Sequence, residues 1–156
     1  MVIIDIPGKG KLTIENLLLD LNGTIAFDGT INPEIKKIIN ILSEKLKLFI
    51  LTADTLGSAR KITEGIKAEL VLIPSKNSSL GKMEIIKQID STKTAVIGNG
   101  YNDHLILKKA VLGIAVMGKE GTSIQALINS DGVVNNIFDA LDLFLHPLRI
   151  KATLRQ

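Results

Sequence analysis

Short apolar runs, each stopped by glycine, proline or a polar cluster, recur along the chain and alternate with stretches in which apolar residues return every three or four positions. The first pattern reads as buried strands and the second as amphipathic helices. Residues 2–6 and 12–14, separated by Pro7-Gly-Lys-Gly10, predict a β-hairpin ahead of the main fold. Residues 17–20 form an apolar run that ends at Asp20 and is followed by Asn22-Gly23, the signature of a buried parallel strand. Asn32-Pro33 carries the N-cap and first-turn chemistry of a helix start, with Ile35, Ile38, Ile39, Leu42 and Leu46 on one face.

The alternation continues. Strands are predicted at 48–51, 70–73, 94–97, 113–116 and 132–134. Between them fall helices at 56–66, 79–89, 102–110 and 122–128, with a closing helix through Leu145. The helix at 79–89 is expected to bury Leu80, Met83, Ile86 and Ile89 or their neighbours, and the Ser/Asn stretch 75–79 reads as a loop. Repeated strand-helix-strand units predict an α/β fold: a Rossmann-like, mostly parallel sheet flanked by helices on both faces, with the N-terminal hairpin added. At 156 residues, close to the roughly 150 of a typical domain, residues 1–156 are expected to form one domain.

Composition narrows the function. A hydrophobic fraction of 46% with 22% charged residues supplies a core and a wettable surface, and with only 3% aromatics the packing falls to Ile, Leu and Val. Nineteen basic against sixteen acidic residues leave +3, spread along the chain, and there is no Trp and one Tyr, so neither charge nor base stacking points to nucleic acid. The absence of cysteine excludes disulfides, thiolate nucleophiles and zinc-thiolate sites, and His104 and His146 stand far apart. No basic-plus-apolar leader and no apolar run near the roughly 18 residues of a membrane span is present, so a cytoplasmic protein without a membrane partner is expected.

In open parallel sheets ligands sit beyond the carboxyl ends of the strands, and there three strands become polar: Asp20-Leu-Asn22-Gly23-Thr24, Thr52-Ala53-Asp54, and Gly98-Asn99-Gly100-Tyr-Asn102-Asp103. Lys82 lies on the helix after a fourth. If these ends converge, Asp20 is a competent nucleophile toward phosphorus once a cation offsets the repulsion between two anions, and Mg²⁺ suits such oxygen ligands. Thr52, Lys82 and the N–H groups near Gly23 and Thr24 could then neutralise the phosphoryl oxygens. Taken singly, each residue has an ordinary role: Asp20 a strand-end cap, Thr52 a helix cap or core hydroxyl, Lys82 a solvated lysine, Asn102-Asp103 an N-cap pair. Their order along the chain is what favours chemistry.

Asp20-Leu-Asn-Gly-Thr24, Ile50-Leu-Thr-Ala-Asp54, Lys82 opening its helix, and Gly98-Asn-Gly-Tyr-Asn-Asp103 resemble, in order, the four motifs of the haloacid dehalogenase (HAD) superfamily of phosphohydrolases. Within it they look like the phosphorylation domain of P-type ATPases and soluble proteins similar to that domain alone. The resemblance covers about residues 12–140 and implies a HAD-type Rossmann-like fold. It implies catalytic roles for Asp20, Asn22, Thr52 and Lys82, and phosphate contacts from Gly23, Thr24, Thr52, Ala53, Lys82 and Asn102. It also implies Mg²⁺ held by Asp20, the Asn22 carbonyl, Asn99 and Asp103.

Two positions depart from the family pattern. Asn22 stands where most of these phosphatases have the Asp that acts as general acid and base, and an amide cannot carry a proton usefully, which implies slow turnover. Asn99 stands where a metal-binding Asp is usual, so the site lacks one negative charge, which Asp103 is expected to offset as an inner- or outer-sphere ligand.

The 28 positions from Thr24 to Thr52, and again from Asp54 to Lys82, leave no room for a specificity cap domain. An open site follows, covered by a partner subunit in a homo-oligomer or used on a large substrate such as a phosphoprotein; 27–30 reads either as a small flap or as a simple loop. The expected activity is that of a capless Mg²⁺-dependent phosphohydrolase with an aspartyl-phosphate on Asp20. The alternative is a catalytically weak or inactive phosphate- or partner-binding regulatory protein. The basic tail Arg149, Lys151 and Arg155 reads as a helix end with solvated charges.

Overall fold

Strands that are apolar on both faces need cover on both, and the chain provides it by alternating strand and helix. The structure, a computed structural model, describes residues 1–53, 56–74 and 76–156, with backbone alone for Leu56 and Gly57. Asp54 of the second motif and Ser75 of the Ser/Asn stretch lie outside the described residues. In chain order the elements are β1 (Val2–Ile6), β2 (Gly10–Ile14), β3 (Asn16–Asp20), α1 (Pro33–Leu42), β4 (Lys47–Thr52), α2 (Leu56–Ile62), β5 (Glu69–Leu72) and α3 (Ser78–Gln88). There follow β6 (Thr94–Gly98), α4 (His104–Lys109), β7 (Leu112–Val116), α5 (Ile124–Ile128), β8 (Gly132–Val134), α6 (Ile137–Leu145) and α7 (Leu148–Leu154).

The hairpin β1–β2 is antiparallel, and the main sheet has six parallel strands in the order β5-β4-β3-β6-β7-β8. The chain winds outward from β3 to β5 and then returns to the other side of β3 as β6. The resulting topological switch, between β3 and β6, is where an α/β sheet opens a crevice at its carboxyl ends.

Successive side chains on a strand point to opposite faces, and β3 shows the consequence. Leu17 and Leu19 pack in one cluster with Ile35, Ile39 and Leu42 of α1 and Leu141 and Phe144 of α6. Leu18, on the other face, packs with Ile86 of α3, Ile106 and Leu107 of α4 and Ala126 of α5. Asp20 is two residues beyond Leu18 and so turns toward the α3 face. Asn32 caps α1 by accepting from the Glu34 N–H, with Pro33 at the first position, as the sequence indicates.

At Gly113 the sheet needs a residue without a side chain, because a β-carbon there would lie 2.4 Å from the Leu107 carbonyl oxygen. That missing atom lets α4 sit directly on β7. The hairpin joins the α1/α6 layer through Val2, Ile4, Ile6 and Ile14, and α7 packs on β1.

Several boundaries differ from the sequence reading. Helix α1 stops at Leu42, and Leu46 is buried in the turn that follows; α2 ends at Ile62 rather than 66. In α3, Leu80 is 53% exposed, while Lys82 and Ile86, one turn apart, form the buried face and Met83 and Ile89 are half-buried. Residue 78, read as loop, belongs to α3, as does 79, where the loop and helix readings overlap. The tail is a separate helix that buries Ile150, and Arg149 pairs with Asp142. No helix among the described residues is long and apolar enough to cross a membrane.

Candidate active site

Asp20 ends the central strand and is 7% exposed at the switch point. Lys82 projects from the buried face of α3, and its Nζ donates at 2.6 Å to Asp20 Oδ1 and at 2.6 Å to Asp103 Oδ1. A fully buried ammonium is tolerable only when paired, and here two carboxylates flank it. Asp103 is itself fully buried, and its other oxygen accepts from the backbone N–H groups of Asn99 at 3.1 Å and Gly100 at 2.9 Å. The turn after β6 therefore holds Asp103, Asp103 holds Lys82, and Lys82 holds Asp20.

On the other side of Asp20, the fully buried Thr24 hydroxyl lies 3.1 Å from Asp20 Oδ2 and 3.1 Å from Asn99 Oδ1. Asn99 Nδ2 donates to the Gly121 carbonyl at 3.2 Å, which fixes the direction of the amide. Gly23 connects these groups with φ at +78°, and its missing side chain leaves room for Asn99 Nδ2 and the Glu120 carboxylate.

Burial pushes the Asp20 carboxyl up to about 7, the neighbouring Asp103 charge adds to the rise, and Lys82 and Thr24 oppose it. Burial works against the Lys82 ammonium, but the two carboxylates outweigh it and hold its pKa above the usual lysine value. Lys82 therefore stays charged in the interior.

The remaining residues singled out in the sequence surround this cluster. Thr52, buried, ends β4 next to β3, where Leu21 N–H bonds the Leu51 carbonyl, and Ala53 follows it half-buried. Asn22 is exposed in the turn after Asp20, and Asn102 is half-buried in the one-turn 3₁₀ helix Tyr101–Asp103. Residues 27–30 form a tight hairpin turn. Phe27 and Thr30 exchange backbone hydrogen bonds, and Asp28 and Gly29 both have positive φ, as a two-residue turn of this hand requires. A groove of about 710 Å³ opens beside it, bounded by Phe27, Ile31, Gly118, Lys119, Asn136 and Phe138, among others.

The oxygens at the site suit a hard cation. A hydroxyl carries one proton, so Thr24 cannot satisfy Asp20 Oδ2 and Asn99 Oδ1 together, and two electron-rich oxygens converge where positive charge is favoured. Among the described residues no three His, Cys, Asp or Glu side chains cluster as a metal site, so amide and backbone oxygens would have to join at most two carboxylates there. That set fits Mg²⁺ or a similar ion rather than a soft metal. Asp103, expected as an inner- or outer-sphere ligand, accepts from Lys82 on one oxygen and from the backbone N–H groups of Asn99 and Gly100 on the other. Sequence reasoning missed Glu120, which belongs to no motif; its position just after the carboxyl end of β7 is the only signal that could have pointed to it.

No family model matches the chain. It is 50% identical over 72 residues to the uncharacterized protein MJ0073 of Methanocaldococcus jannaschii, a match covering 46% of this chain and 77% of that protein. It is 31% identical over 130 residues to copper-transporting ATPase 1 of Rattus norvegicus, covering 80% of this chain but only 8% of the ATPase.

Among solved structures, the cobalt-bound deoxy-D-mannose-octulosonate 8-phosphate phosphatase of Haemophilus influenzae superposes with a TM-score of 0.70 at 16% identity, covering 92% of this chain and 94% of that one. The Moraxella catarrhalis 3-deoxy-D-manno-octulosonate 8-phosphate phosphatase, solved with magnesium, phosphate and the sugar acid, gives 0.69 at 15% identity, covering 85% and 86%. At such identities the structural likeness speaks for the fold. With the similarity to a copper ATPase beside it, the chain has the fold of haloacid dehalogenase superfamily phosphatases and resembles, in its sequence, a part of the P-type ATPases.

Proposed function

We propose that this protein is a capless, divalent-cation-dependent phosphohydrolase that turns over slowly through an aspartyl-phosphate on Asp20. The observation that supports this most is a nucleophile-type carboxylate at the switch point whose charge is held by one buried lysine, itself fixed by Asp103 at 2.6 Å. Asp20, the Asn22 carbonyl and Asn99 would hold Mg²⁺, which when bound would offset the repulsion between the carboxylate and the phosphoryl oxygens.

An Asp20 oxygen attacks phosphorus as the bond to the leaving oxygen breaks, and the electron pair departs with that oxygen. Lys82, Thr52 and the N–H groups of Gly23 and Thr24 stabilise the charge on the transferring group. Ala53 and Asn102 complete its surroundings. Asn22 offers no proton, so the leaving oxygen takes one from solvent. Water then attacks phosphorus, the bond to Asp20 breaks, and its proton passes to solvent. Slow loss of the phosphoryl group resembles the P-type ATPase strategy more than that of a fast phosphatase. The groove beside Phe27 would receive the rest of the substrate.

The test is phosphate release from an aryl phosphate in Mg²⁺, wild type against Asp20→Asn. Release that depends on both Asp20 and the metal is expected; release that Asp20→Asn leaves unchanged would sink the reading. The amides at 22 and 99 favour a second reading, a phosphate- or partner-binding protein without turnover. It predicts saturable phosphate binding with no Asp20-dependent release.

A further inference from the structure

The loop between β7 and α5 brings a carboxylate to the site that no motif includes. Glu120 Oε2 lies 2.6 Å from the point a β-carbon on Gly23 would occupy, and Asn99 Nδ2 lies 2.9 Å from the same point. Glu120 thus faces the glycine turn directly after the nucleophile strand. Two hydrogen bonds from Asn99 hold its loop: Nδ2 donates to the Gly121 carbonyl at 3.2 Å, and the Asn99 carbonyl accepts from the Ser123 N–H at 2.9 Å. An Asp at 99 could not make the first of these, because its carboxylate would set one acceptor against another. The same amide that removes a negative charge from position 99 therefore fastens the loop that brings one back at position 120.

We infer that Glu120 supplies the second carboxylate of the cation site, in place of the one missing at Asn99. This rests on the cation-dependent reading above. When Asp20 is ionised, it and Asp103 carry one negative charge more than Lys82 offsets, and Glu120 raises that excess to two, matching a divalent ion. Glu120 is solvent-exposed, so its replacement should leave the fold intact, as is usual for surface changes.

The test is Mn²⁺ binding, read by the electron paramagnetic resonance of free Mn²⁺, with wild type, Glu120→Gln and Asp20→Asn at one pH, thermal melts confirming folding. Glu120→Gln is expected to bind about 10- to 100-fold more weakly, the range typical when a carboxylate supporting a metal is removed. Wild-type affinity in Glu120→Gln, with Asp20→Asn weakened, overturns the role of Glu120 alone. Equal, negligible binding by wild type and Asp20→Asn overturns the cation-dependent reading and this inference with it.

Discussion

Asn22→Asp is expected to raise the rate of phosphate release from an aryl phosphate by about 10²- to 10⁴-fold, the contribution general acid–base catalysis typically makes. Asn22 is exposed in the turn directly after Asp20, so a side chain there can meet a leaving group approaching from solvent. Its amide can neither protonate that leaving group nor accept a proton from the attacking water, whereas a carboxyl does both in turn. The substitution is nearly isosteric at an exposed position, so stability should hardly change. A second signature is a pH profile that gains an acidic limb absent from the wild type. A rate within twofold of wild type, with Mg²⁺ saturating in both proteins, would contradict the role assigned to this position.

Lys82→Met should cost about 3–5 kcal/mol of folding stability, the usual consequence of removing one partner from a buried ion pair. Methionine matches the length of the stem, so the cavity is small and the loss is electrostatic. Asp20 and Asp103 are left facing each other without the ammonium that lies 2.6 Å from each. A domain near this size loses roughly 2–4 °C of melting temperature per kcal/mol, so the shift is easily read. The double variant Lys82→Met/Asp20→Asn removes one of the stranded charges and should be more stable than Lys82→Met alone. If Lys82→Met instead costs no more than a surface change, about 0.5 kcal/mol, the ion triad is not what organises the site.

Much of this was legible in the sequence because apolar strands that turn polar at one end carry a strong signal. The runs ending at Asp20, Thr52 and Gly98 located three of the strands, their parallel direction and the edge where polar residues gather. The α3 face was not legible. Its apolar residues are weakly segregated, so that Lys82, which the motif order singles out for chemistry, taken singly reads as a solvated lysine rather than as part of the buried face. The partners of Asp103 were not legible either, because motif order says nothing of where its oxygens go; one accepts from the backbone turn at Asn99 and Gly100 and the other from Lys82. Helix α7 lacked a strong stop-and-start signal beyond Pro147, and its docking on β1 is a contact between the two ends of the chain.

The central claim is that Asp20 carries the phosphoryl group, and acid quenching followed by peptide mass spectrometry tests it most directly. With Mg²⁺ and an aryl phosphate, the peptide containing Asp20 should gain the mass of one phosphoryl group, labile to hydroxylamine as an acyl phosphate is. The adduct should be absent without metal and absent in Asp20→Asn. Metal-dependent phosphate release from a protein whose Asp20 peptide never carries that mass, in wild type or in a slowly turning-over preparation quenched at early times, would contradict the account.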